Sequence, residues 1–114
     1  MKGFRIIMEQ RLKILEDFEK NKEKYFKNIK GIASKYGGFA KIFGSYLEKE
    51  KFFGGSDVDV LVVIPGIEKN RSIKWKVLRE LKESVNENPR FEFHVVDKKG
   101  YEIYSRFIKK FEDI

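Results

Sequence analysis

The sequence predicts an α/β sandwich, a small sheet with helices packed on it. Three observations predict it. Apolar residues recur at helical spacing over the first third and again over residues 68–86, while Val58 to Ile64 is a β-branched run of strand length. Glycine or proline punctuates the switches between these patterns, at Gly37-Gly38, Pro65-Gly66 and Asn88-Pro89. The chain has 114 residues, 41% apolar and 15% aromatic, which suits one packed domain and argues against global disorder.

The elements follow in order. Met8, Leu12, Leu15 and Phe18, then Tyr25/Phe26, Ile29, Ile32/Ala33 and Tyr36, mark two helical stretches with a break expected near Asn21 and an end at Gly37-Gly38. Phe39 to Phe43 is a short strand. Ser45 opens a short helix, and Ser45-Tyr46-Leu47-Glu48 has capping-box form. Phe52 to Ser56 is a glycine turn. Val58 to Ile64 is a strand, and Ile73, Val77, Leu78, Leu81 and Val85 lie on one face of a helix over 68–86. Phe91 to Val96 is a third strand, and Tyr101, Tyr104, Phe107/Ile108 and Phe111 mark a C-terminal amphipathic helix. The chain is expected to be one domain, with residues 1–36 a helical segment and 37–113 the core.

Composition narrows the chemistry. With no cysteine there is neither a disulfide nor a thiolate metal site, and the single histidine, His94, excludes a multi-histidine zinc site. Any metal must be held mainly by carboxylates, which favours Mg2+ or Mn2+. No apolar run is long enough to span a membrane or serve as a signal peptide, so a cytoplasmic location is expected. Abundant Lys and Glu fit a thermophile, and a low-GC genome gives the same bias. Residues 1–36 hold 10 of the 25 basic and 5 of the 18 acidic residues, so +5 of the net +7 sits there. That excess attracts nucleic acid or an acidic partner, but a solvated helix face explains it more simply.

Asp57 and Asp59 are the chemical signal. Two apart on a strand, they share a face, while Val58 and Val60 point to a core. Paired carboxylates repel and lose hydration unless a cation offsets the cost, and two carboxylates so placed can bridge two divalent ions. Strand alternation supplies a third: in Phe91-Glu92-Phe93-His94-Val95-Val96-Asp97, Glu92 and His94 oppose the apolar face, so Glu92 meets the aspartates if the two strands are neighbours. Asp97 has the wrong parity. His94 is a candidate contact for a phosphate or an acceptor, or a structural histidine. Gly44 permits close approach of a phosphate, and Ser45 with the following amides can hold its oxygens. Taken alone, that turn reads better as a plain helix start. Lys49 and Lys51 are either phosphate contacts or solvated charges.

Phe43-Gly44-Ser45, an eleven-residue spacer, then Asp57-Val58-Asp59-Val60 resembles the signature of the DNA polymerase β-like nucleotidyltransferase superfamily. The chain most resembles its minimal, archaeal-type members, over about residues 37–113. The resemblance implies a small mixed sheet flanked by helices, with a helical N-terminal extension. It implies two Mg2+ (or Mn2+) ions and a nucleoside triphosphate. Asp57, Asp59 and Glu92 would be the catalytic metal ligands, and Gly44 and Ser45 the nucleotide-binding turn. Many minimal members carry an arginine soon after the glycine-serine pair; here Tyr46-Leu47-Glu48 stands there, with Lys49 beyond.

The implied activity is transfer of an NMP, AMP from ATP, to a hydroxyl acceptor, on a partner protein of the HEPN type as in antitoxin pairs. A second copy of the chain is another partner to be considered. The alternative is an antitoxin or regulator with little turnover that binds through the long N-terminal helix and through Tyr101, Tyr104 and Phe111, although ordinary core packing explains those aromatics more simply. Nucleic-acid binding through residues 2–35 rests only on charge, without a stacking pattern.

Overall fold

The computed structural model describes residues 2–48 and 57–114, with the side chains of Lys2 and Phe4 outside the description. The elements run α1 (Lys2–Lys35), β1 (Phe39–Phe43), a 3-10 turn (Ser45–Leu47), β2 (Val58–Val63), a second 3-10 turn (Ile67–Lys69), α2 (Arg71–Ser84), β3 (Phe91–Val96), α3 (Lys98–Phe107) and β4 (Glu112–Asp113). The sheet order is β3-β2-β1-β4. β2 pairs parallel with β3 and antiparallel with β1, and β1 pairs antiparallel with β4. This is a mixed sheet flanked by helices, as the resemblance implies.

Alternation along β2 divides the core. Val58, Val60 and Val62 join Phe18, Tyr25, Ile29 and Ala33 of α1 and Val77 and Leu81 of α2 in the larger cluster. Leu61 and Val63 point the other way, to Phe43 and a shell of Tyr101, Tyr104, Ile108 and Phe111. α1 and α2 therefore cover one face of the sheet and α3 the other. The α1 residues that enter the core recur every four or seven positions, one stripe of the helix.

Four local expectations need correction. α1 is a single helix with no break at Asn21. The Asn21 amide donates to the Asp17 carbonyl at 3.1 Å and to its carboxylate at 3.0 Å, so this side chain bonds within the helix instead of ending it. The C-terminal helix stops at Phe107, and the chain turns back to lay Glu112–Asp113 beside β1. The Ser45 turn is 3-10 and has Gly44 at the cap position, so Ser45 is its first residue and not the cap that a capping box requires. The helix over 68–86 is shorter: an α-helix at Arg71–Ser84, capped by the Asn70 side chain accepting from the Ile73 amide. The expected turn at 52–56, Lys49 and Lys51 lie outside the described residues.

α1 ends where Gly37-Gly38 predicts. The Gly38 amide reaches the Ala33 carbonyl at 2.8 Å and the Gly37 amide the Ser34 carbonyl at 3.0 Å, a Schellman closure with Gly37 at φ +78°. A Cβ on Gly38 would lie 1.8 Å from the Val63 carbonyl oxygen, so only glycine lets this turn pass against β2. That contact sets the strand after α1 beside β2.

Candidate active site

β2 and β3 run parallel in a register that pairs Asp59 with Glu92 and Leu61 with His94. Because side chains alternate, Asp59, Glu92 and His94 rise from the same face of adjacent strands. One ligand atom from each of the three lies within 4.8 Å of the others. His94 Nε2 is 3.4 Å from Asp59 Oδ1 and 3.8 Å from Glu92 Oε1. Asp59 and His94 are partly buried and Glu92 is exposed. The neighbouring strands thus bring Glu92 to Asp59, in keeping with its parity.

His94 is tied from both nitrogens. Its Nδ1 is 3.3 Å from the Tyr104 hydroxyl on α3, and its ring lies against Phe43 and Tyr104. With the Nε2–H toward Asp59, Nδ1 accepts from Tyr104, so one neutral tautomer satisfies both contacts. The sequence marks His94 for a phosphate or acceptor but not for the cluster itself, and it presents Tyr104 only as an apolar-stripe aromatic. The signal available for His94 is its parity with Glu92. No sequence signal connects Tyr104 to it, because that contact is made across layers.

Gly44 is built into the same cluster. It sits at φ +83° and ψ −160°, a backbone region essentially confined to glycine. A Cβ there would come within 2.5 Å of Asp59 Oδ2. The glycine-serine turn therefore leans directly on the carboxylate of β2. Ser45 follows as the first residue of the 3-10 turn, half-buried.

Asp57 stands apart. It is exposed, one residue ahead of β2, and outside the three-residue group. It lines a cavity with Met8, Leu12 and Leu15 of α1 and with Pro89 and Arg90. Alternation places residues reliably only inside a paired strand, and Asp57 precedes the ladder. Asp97, of the wrong parity for the site, instead caps α3, its carboxylate accepting from the Gly100 amide at 2.9 Å. Tyr101, Tyr104 and Phe111 pack against the smaller core and are not a bare surface; the exposed aromatic of α3 is Phe107.

The donor set suits a divalent cation. Two carboxylates and an imidazole on adjacent strands form a group that could hold a divalent metal ion. Among the described residues no helix is long and apolar enough to cross a membrane.

Neither a protein-family model nor a curated protein sequence matches the chain. Two solved structures do. A crystal structure described as a putative nucleotidyltransferase shares 29% identity, with a TM-score of 0.62, over 77% of this chain and 95% of its own. A second, of the same description and from Sulfolobus solfataricus, shares 18% identity with a TM-score of 0.51, over 91% of this chain and 81% of its own. The second likeness is one of fold. The first supports nucleotidyl transfer in general, and the mixed sheet that carries Asp59 and Glu92 is a fold this chain shares with structures described as nucleotidyltransferases.

Proposed function

We propose that the protein is a metal-dependent nucleotidyltransferase that moves an NMP, AMP from ATP, onto a hydroxyl, with a partner protein of the HEPN type as acceptor. The observation that carries the proposal is the convergence of Asp59, Glu92 and His94 beside the Gly44 turn. Asp57, Asp59 and Glu92 are the proposed metal ligands, with His94 an added donor through Nε2, its proton then carried on Nδ1 and donated to the Tyr104 hydroxyl. Asp57 would join the cage by turning its exposed carboxylate toward Asp59 once positive charge offsets their repulsion. Bound divalent ions would supply charge neutralisation at the phosphates. Gly44 and Ser45 hold triphosphate oxygens. Glu92 takes the acceptor's proton as its oxygen bonds the α-phosphorus, the bond to the bridging oxygen breaks, and pyrophosphate leaves.

Titration calorimetry of the native chain and of Asp57→Asn/Asp59→Asn with ATP, with and without Mg2+, tests this. Metal-dependent binding in the native chain that is lost in the double variant, with unchanged circular dichroism, is the expected result. Full binding in the double variant would remove the site assignment.

One observation favours a second reading. Ile6, Ile7, Met8 and Leu12 are 43–55% exposed on the N-terminal half of α1. This apolar surface suits a regulator that docks on a partner without turnover. Partner neutralisation that survives loss of all three carboxylates would favour it.

A further inference from the structure

Next to the Gly44 turn lies an open cleft of about 480 Å3, between that turn and the chain leaving α3. Its size is in the range of small-molecule sites. Gly44 is its boundary with the Asp59 cluster, since the same residue packs on the Asp59 carboxylate. Phe107, Lys109 and Lys110 form the opposite wall.

The three residues put an exposed ring beside two exposed lysines. α3 commits Tyr101 and Tyr104 to packing, against Phe39 and Phe111 and against Phe43. Phe107, one turn beyond Tyr104, is 81% exposed, the most exposed large apolar side chain among the described residues. A phenyl ring so exposed beside a cleft is a flat apolar surface that joins neither core cluster among the described residues. Lys109 and Lys110 are exposed beside it. Lys110 reaches across, its Nζ donating to the Leu47 carbonyl at 3.3 Å, which holds an ammonium over the glycine-serine turn. Glu48 is the acidic residue on the wall, and two lysines outweigh it.

We propose, resting on the nucleotidyl-transfer function above, that this cleft seats the donor nucleotide, its base stacked on Phe107 and its phosphates between Lys109, Lys110 and the Gly44 turn. The triphosphate would then run from the lysines past Gly44 to Asp59, which orders base, phosphates and carboxylates along one line. Stacking on a ring is tolerant of base identity because every base has a π-face. The chain's selectivity among nucleoside triphosphates is therefore expected to be modest at this subsite.

The test uses the full chain with Mg2+ and two probes, ATP and inorganic triphosphate, read by titration calorimetry. Phe107→Ala should weaken ATP about 10-fold or more and leave inorganic triphosphate unchanged, while Phe107→Tyr retains ATP binding. Lys109→Ala/Lys110→Ala should weaken both probes. Because the Phe107 side chain is exposed, its variants should fold as the native chain does, and circular dichroism checks it. If Phe107→Ala binds ATP as the native chain does while Asp59→Asn does not, the cleft assignment falls and the transferase function stands. If the native chain binds neither probe, both fall.

Discussion

At the scale of single residues, the site depends on Gly44 as much as on its acids. Alanine there would be strained at φ +83° and would drive its Cβ to 2.5 Å from Asp59 Oδ2. Gly37 is a natural control, because it too has positive φ but nothing lies within 4 Å of where an alanine methyl would stand. Both alanine variants should lose about 1–3 kcal/mol of stability from strain. Only Gly44→Ala should also lose Mg2+-dependent ATP binding, by at least about 10-fold. Equal nucleotide affinity in the two variants would show that the turn does not support Asp59. Residue by residue, part of this is legible in the sequence. Period-two alternation is enough to choose Glu92 over Asp97 and to put His94 beside it. It cannot place Asp57, which lies before the ladder begins, nor the Tyr104 hydroxyl, which arrives from another layer. Ser45 has the chemistry of a cap but does not act as one, because its neighbour Gly44 takes the cap position.

At the scale of elements, α1 shows why a local breaker signal can fail. Asn21 is unfavourable in a helix because its amide competes for the backbone. Here that amide bonds to Asp17 one turn earlier, and Asp17 is the centre of a polar cluster. Its carboxylate accepts from Tyr25 at 2.8 Å and from Asn88 at 2.8 Å, and Asn88 also donates to the Ile14 carbonyl at 3.1 Å. The cluster ties α1 to the turn that launches β3, a link no periodicity could reveal because Asp17 and Asn88 are 71 residues apart. Burial pushes the Asp17 carboxyl up, but hydrogen bonds from Asn88, Tyr25 and Asn21 outweigh it and hold it below 3.8. A depressed folded value means stability that is present above 3.8 and lost as pH falls through the lower folded value. Asp17→Asn should therefore cost about 1–3 kcal/mol in urea unfolding at neutral pH, and the difference from the native chain should shrink on acidification below 3.8. A difference that is constant with pH would show that the ionised form is not what the cluster stabilises. The end of α3 escapes the sequence for a related reason. Phe111 continues the apolar pattern past Phe107, but it packs on Phe43 and Tyr101 from the irregular chain between α3 and β4 rather than from a helix.

At the scale of the whole molecule, the layer arrangement is legible, because apolar stripes on three helices need a sheet to cover and β2 offers apolar residues on both faces. Its order is not, since strand sequence alone does not say that β2 lies between β1 and β3. The chain brings Asp59 and Glu92 together only when β2, α2 and β3 have closed on one another, and their negative charges then face each other. A cation bound to that pair prefers the folded chain and should stabilise it. At about 100 times its Kd, Mn2+ should add about 2.7 kcal/mol, a rise of roughly 10 °C in Tm, and Asp59→Asn should lose it. An unchanged Tm in the native chain would show that the cluster does not hold the ion. The division of β2 between two cores has a further consequence. A slip of one residue against β3 would carry Asp59 into the layer occupied by Val58 and Val60, beneath α1 and α2, and turn those valines toward α3. Foldability and chemistry are thus written in the same frame: a single-residue insertion inside this strand would scramble the core and dismantle the site at one stroke, whereas a two-residue insertion would preserve the alternation and displace only the partners.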